Sequence, residues 1–185
     1  MKGFARIRSL SGRIIAAGML AVAASTALAT VEDKSPARVQ VTWAPAEQLT
    51  EVKDNPIRRG WMRTEEWQKS LSDRLRKRAD GLLPAGQQLE VSIDDLHLAG
   101  SFEPWRRTSL DEARILKDIY PPWMNLHYKL IASDGSTIRE GAAKLRDSAY
   151  LQRAVPFNES DPLRYDKRMI DEWLWREFGR AKPAT

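Results

Sequence analysis

Apolar and polar residues alternate over Arg38-Val39-Gln40-Val41-Thr42-Trp43. With its β-branched content this reads as a strand that turns Val39 and Val41 inward, or Trp43 from a twisted end, and Pro45 stops it. Residues 44–63 show no period and include Pro45, Pro56 and Gly60, so they read as loop. From Thr64 the period lengthens. Trp67, Leu71, Leu75, Ala79 and Leu82 recur at helical spacing, with Thr64 as expected cap and Glu65 and Glu66 in the first turn, where the helix dipole favours acids. Asp73 and Lys77 are spaced to pair across one turn, and the stems of Arg74 and Arg78 are placed to cover the apolar stripe. Leu83-Pro84-Ala85-Gly86 ends this helix.

A second strand runs from Gln88 to Leu98, but its apolar face changes sides. Leu89, Val91 and Ile93 share one parity, whereas Leu96 and Leu98 share the other, which predicts a bulge or a twisted end. Residues 109–120 fit two templates: Ser109 and Glu112 make a capping box, while Ile115, Lys117 and Ile119 alternate. Trp123 to Ala132 alternates cleanly, Ser133-Asp134-Gly135-Ser136 is a hairpin turn signal, and Thr137 to Leu145 returns as the partner strand. Asp161-Pro162 opens a last helix with the buried stripe Leu163, Met169, Ile170, Trp173, Leu174 and Phe178. The order predicts an α+β two-layer sandwich, with a mixed or mostly antiparallel sheet of about four strands and two main helices on one face.

Charge changes this picture at the N-terminus. Of 30 basic residues, Lys2, Arg6, Arg8 and Arg13 fall in the first 29 positions, where there is no acid. The remainder carries 26 basic and 25 acidic residues and is nearly neutral. The 11-residue apolar run Ile14 to Ala24 follows the basic start, and then comes the small-x-small triplet Ala27-Leu28-Ala29. These are the three parts of a secretory signal peptide, with cleavage expected between Ala29 and Thr30 and a periplasmic mature chain if the cell has two membranes. The apolar core is shorter than the roughly 20 residues a permanent span needs. The expected organisation is leader 1–29, linker 30–37, one domain 38–180 and a tail 181–185. A balanced, exported chain lacks the basic stripe that nucleic-acid binding requires.

Candidate chemistry is sparse. With no Cys, thiolate metal sites, disulfides and thiol catalysis are excluded. The two histidines, His97 and His127, limit any Ser-His-Asp arrangement, and His127 is expected on an exposed strand face. Asp95 and His97 share one parity of their strand, a base with its orienter or two metal ligands, short of the three or four a zinc site takes. Neither a metal nor a cofactor is expected. Glu103, Asp111, Glu112 and Asp118 form an acidic cluster, read first as a solvated face partnered by Arg106, Arg107 and Arg114. Among the seven Trp, Trp67 and Trp173 belong to helical stripes, whereas Trp61, Trp105 and Trp175 do not. Phe102-Glu103-Pro104-Trp105-Arg106-Arg107 mixes aromatics with arginine as interaction hot spots do.

Leu96-His97-Leu98-Ala99-Gly100, Glu103-Pro104-Trp105, Lys117-Asp118-Ile119-Tyr120-Pro121-Pro122, Glu140-Gly141 and Leu145-Arg146-Asp147 resemble an uncharacterised family of secreted proteobacterial proteins, a domain of unknown function. The resemblance covers about residues 37–178. It implies a bacterial, exported, single-domain protein and transfers no activity, cofactor or catalytic residue. The leading expectation is a non-enzymatic envelope binding or accessory module that meets another envelope protein or a glycan through Phe102, Trp105, Arg106 and Tyr120, braced by Pro121 and Pro122. One alternative is a hydrolase of envelope polymers using Asp95, His97 and Asp118. Another is a structural subunit of an envelope assembly.

Overall fold

The computed structural model describes residues 37–55, 61–103, 113–154 and 160–179. The leader, the linker up to Pro36 and the tail therefore lie outside the described residues, as do Trp105 and Arg106.

Strand β1 (Val39–Trp43) pairs in parallel with β2 (Gln88–His97). Helix α2 (Thr64–Asp80) makes the crossover between them, preceded by a 3-10 turn (Ala46–Gln48) and a short helix α1 (Thr50–Asp54). A two-residue strand β3 (Ser101–Phe102) pairs antiparallel with β4 (Arg114–Ile115) as a separate small sheet. Strands β5 (Trp123–Ile131) and β6 (Thr137–Arg146) form a hairpin, and β5 also pairs antiparallel with β2. Helix α3 (Arg164–Phe178) follows. The main sheet has the order β1-β2-β5-β6, so the architecture is α+β with a mixed four-stranded sheet. No helix among the described residues is long and apolar enough to cross a membrane.

The period read from the sequence is the packing. Trp67, Leu71, Leu75 and Ala79 on α2 are fully buried, as are Ile170 and Leu174 on α3. They meet Leu89, Val91, Ile93, Met124, Leu126 and Leu145 from one face of the sheet. Each such aliphatic side chain contributes about 1.5–3 kcal/mol on full burial. Trp67 also receives the edge of Trp43 at 5.5 Å, while Trp43 donates its indole N–H to Ser72 Oγ at 2.9 Å, which ties β1 to α2.

The parity change in β2 is a bulge between Ile93 and Asp95. Asp94 is the extra residue, and inserting it returns Leu96 and Leu98 to the core face after Ile93. The hairpin turn uses Gly135 at φ 83°, which a side-chain-free residue adopts without strain, and Asp134 Oδ1 accepts bonds from the Ser136 N–H at 2.8 Å and hydroxyl at 2.6 Å.

Several local expectations are corrected. Residues 44–63 are not all loop, because α1 lies within them. At five residues it is too short to display a period, and it is held by burial of Leu49 and Glu51. The cap of α2 is Arg63 and not Thr64, and Glu66 Oε2 accepts the Arg63 N–H at 2.9 Å. Asp73 pairs with Lys69 and Arg76 and not with Lys77, while Arg74 reaches across to Asp171 of α3. Of the ambiguous stretch 109–120, the described part is the strand β4 followed by a turn, and residues 109–112 lie outside the described residues.

Two buried arginines knit the loops to this core. Arg114 is the larger hub. Its guanidinium makes a two-pronged ion pair with Glu51 at 2.7 and 3.1 Å and donates to the carbonyls of Leu98, Ala99 and Gly100 at 2.8, 2.6 and 2.8 Å. It is flanked by the rings of Trp61 at 4.8 Å and Phe102 at 5.5 Å. Arg168 of α3 plays the same part below β6, paired with Asp147 at 2.5 Å and donating to the carbonyls of Tyr150 and Arg153 at 2.9 and 2.8 Å.

Arg114→Ala strands the Glu51 carboxylate, which has no exposed surface, so unfolding free energy should fall by about 3–5 kcal/mol in urea titrations. Adding Glu51→Gln to that variant should recover part of the loss, because the unpaired charge is gone while three backbone carbonyls still lack their donor. Independent, additive losses would contradict the hub.

Candidate functional site

Asp95 and His97 lie two residues apart on one face of β2, opposite Asn125 and Trp123, but among the described residues no hydrogen bond or ion pair joins either to the other or to Asp118. Both carboxylate oxygens of Asp95 are occupied: Thr50 donates its N–H at 2.7 Å and its hydroxyl at 2.8 Å, and the Leu96 N–H adds a third bond at 2.8 Å. Asp95 therefore pins the start of α1 to β2. His97 stacks on its cross-strand neighbour Trp123 at 6.5 Å. Burial pushes its imidazole below the ordinary histidine range, and its Nδ1 is buried with no hydrogen-bond partner. The charges that reach it are those of Glu51, Arg114 and Asp54. Asp118 is exposed on the turn after β4, and among the described residues no hydrogen bond or ion pair joins it to Asp95 or His97.

The expected contact loop also differs. Phe102 is only 7% exposed, packed edge-on to Trp61 at 6.0 Å and beside Arg114, so its ring supports the hub and does not face a partner. Tyr120 is half-buried and donates its hydroxyl to Glu103 Oε1 at 2.9 Å; Pro121 and Pro122 are buried. Trp105 and Arg106, with Asp111 and Glu112, lie outside the described residues. Glu103 is not on a solvated face: it is 4% exposed and bound by Lys117 Nζ at 2.5 Å. Arg114, read as its partner, goes to Glu51. Sequence parity could not foresee either exchange, since both depend on how β3 and β4 fold over the end of β2.

Two fully buried carboxyls carry no plain mark in the sequence: Glu51, the partner of Arg114, and Asp166. Asp166 of α3 is 1% exposed, and its Oδ1 accepts the Ala99 N–H at 3.0 Å while Oδ2 has no partner. Burial pushes this carboxyl up from 3.8 to about 7, opposed chiefly by the charge of Arg114. Its position on the sheet-facing side of α3 was the available signal, obscured because acids in a helix usually face water.

The accessible feature is elsewhere. Among the described residues, the long helices cover one face of the main sheet and leave the other open. On it lies a trough of about 640 Å³ whose walls include Gln40 and Thr42 of β1, Glu90 and Ser92 of β2, His127 and Lys129 of β5, and Glu140 and Ala142 of β6. Asp94, projected by the bulge, holds His127 Nε2 at 3.2 Å, and Ser92 is the cross-strand neighbour of His127. The set has the residue types of a nucleophilic triad, yet His127 is 65% exposed and no hydrogen bond connects it to Ser92. What the trough offers is a row of donors and acceptors above small side chains, a surface for holding polar groups in place.

The pH response of Asp166 has a definite sign. The unfolded chain gives up this proton near 3.8 and the folded chain near 7, so the favourable contribution of the neutral carboxyl is complete below about pH 4 and is lost as pH rises to about 7. Asp166→Asn should abolish that decline, on the order of a few kcal/mol, in urea titrations across pH 4–8. An unchanged slope would exclude Asp166 as its source.

No curated protein matches the chain. A family profile does, over residues 37–176, which takes in every described strand and both long helices up to Arg176. Its description is that of a protein of unknown function, and on that match the chain belongs to the DUF3016 family.

Proposed function

We propose that the protein is an exported, non-enzymatic binding or accessory module of the cell envelope that holds its ligand on the open face of the four-stranded sheet. The observation that carries this is the trough itself: alternation commits one side of every strand to the core and leaves Gln40, Thr42, Glu90, Ser92, Lys129 and Glu140 facing outward around one concavity. Amide, hydroxyl, carboxylate and ammonium groups set above Gly141 and Ala142 suit the hydroxyls of a glycan better than they suit an apolar protein surface. The hydrolase alternative draws no support from its three residues, because Asp95 is spent on Thr50 and Leu96 and, among the described residues, no bond links Asp118 to His97.

Export supports the same reading. The basic start, the apolar run and Ala27-Leu28-Ala29 form a leader, and the remaining chain is close to neutral. Intact-mass and N-terminal analysis of the protein isolated from its cells should find Thr30 first; an uncut chain in the cytosol would remove the envelope from the proposal.

The ligand surface is tested by thermal shift and calorimetric titration with soluble fragments of envelope glycans. Binding is expected for the native chain and should weaken at least tenfold in the variant Gln40→Ala, Glu90→Ala, Lys129→Ala. Gln40 and Glu90 are exposed and Lys129 is half-buried on the same outward face, so each should change folding stability by no more than about 0.5 kcal/mol. A photo-crosslinker at residue 42 that captures one protein in intact cells, with no glycan response, would replace the glycan by a protein partner. No response in either assay would sink the open face as a contact surface.

A further inference from the structure

The sheet ends in an unusually available edge. Among the described residues β6 pairs on one side only, with β5, and β1 only with β2. The two edges differ. β1 is five residues long, whereas β6 has ten, contains no proline, and carries the small run Gly141-Ala142-Ala143 at its centre. An edge strand presents a row of backbone donors and acceptors that a further strand can satisfy. A bulge at Ile138, where the register with β5 shifts, marks one end of the regular stretch, and Leu145 is buried near the other.

We propose that β6 pairs antiparallel with β6 of a second copy of this chain, about a two-fold axis through Ala142. The argument for this occupant is the strand's own charge pattern. Glu140, Ala142 and Lys144 stand on the open face, two residues apart. An antiparallel strand with Ala142 opposite its own copy places Glu140 opposite Lys144 of the partner, and Lys144 opposite Glu140. Both charges meet their opposites, and the smallest side chains meet where the strands cross the axis. On the other face Gly141 lies opposite Ala143, so the core side brings no clash. Sliding the register two residues toward the turn puts Glu140 opposite Ala142 and Lys144 opposite Ile138, so both ion pairs are lost. Such self-complementarity is what an isologous interface requires. The pairing would turn two four-stranded sheets into one of eight and run the two troughs together, since Glu140, Gly141 and Ala142 are also their rims. It stands on the edge and its charges, not on the identity of any ligand.

The experiment is sedimentation velocity on the full exported chain over a wide concentration range. The native protein should show a reversible monomer–dimer equilibrium. Lys144→Glu alone, or Glu140→Lys alone, sets like charges opposite one another at two places and should weaken dimerisation roughly ten- to a hundredfold. The double reversal, Glu140→Lys with Lys144→Glu, should restore it. Because the chain has no cysteine, Ala142→Cys gives a single thiol that should form a symmetric disulfide dimer on mild oxidation. Circular dichroism of each variant separates lost pairing from lost folding. A native chain that stays monomeric throughout, or a dimer indifferent to the charge reversals and unlinked through position 142, overturns the proposal.

Discussion

Arg114 supplies the interaction on which the rest of the structure depends. Its guanidinium gathers three successive carbonyls at the end of β2, clamps the carboxylate of Glu51 and is enclosed by Trp61 and Phe102. The chain leaves β2 at this point, makes the small β3–β4 sheet and turns into β5. Each carbonyl would be unsatisfied in the interior without a donor, and only a planar group with several N–H bonds can serve all three and a carboxylate at once. The position admits no side chain at Gly100, where a Cβ would come within 2.7 Å of the Ile115 carbonyl oxygen. Close backbone approach and the buried ion pair therefore impose one another.

This explains why the polar residues that looked chemical are occupied. Asp95 fastens α1, Glu103 receives Lys117 and Tyr120, and Asp166 caps the Ala99 N–H. A domain that routes a connection through its own interior must satisfy the backbone there, and it does so with side chains that might otherwise serve a reaction. The open sheet face carries no such burden. Apart from His127, held by Asp94, and Thr42, whose hydroxyl donates to the Val91 carbonyl, the polar side chains along the trough are turned outward where a ligand can meet them.

The regular elements were legible from period alone. The two long helical stripes, the hairpin with Asp134-Gly135 and even the displaced parity of β2 appear where the alternation says, because burial of one face is the same constraint in the sequence and in the packing. The candidate site was less legible. Asp95 and His97 share a parity in the sequence and keep it in the structure, opposite Asn125 and Trp123, yet Asp95 spends both carboxylate oxygens on Thr50 and Leu96. What the bulge breaks is the continuity with Leu89, Val91 and Ile93: once Asp94 is extra, Asp95 and His97 leave the core face that those residues share. The short α1 left no trace, since five residues are too few for a helical period to repeat.

Sequence by itself determined the class of the molecule: the alternating and helical periods, the turn glycine, a nearly neutral chain behind a basic apolar start, and the absence of thiol chemistry. These are local or compositional properties, written in neighbours a few residues apart. Tertiary structure alone decided which charges are partners. Glu51 meets Arg114 across 63 positions, Ala99 meets Asp166 across 67 and Arg74 meets Asp171 across 97. Such pairings depend on where crossovers deliver each strand and helix, and the energy that selects one carboxylate over another arises only after water has been excluded around both groups.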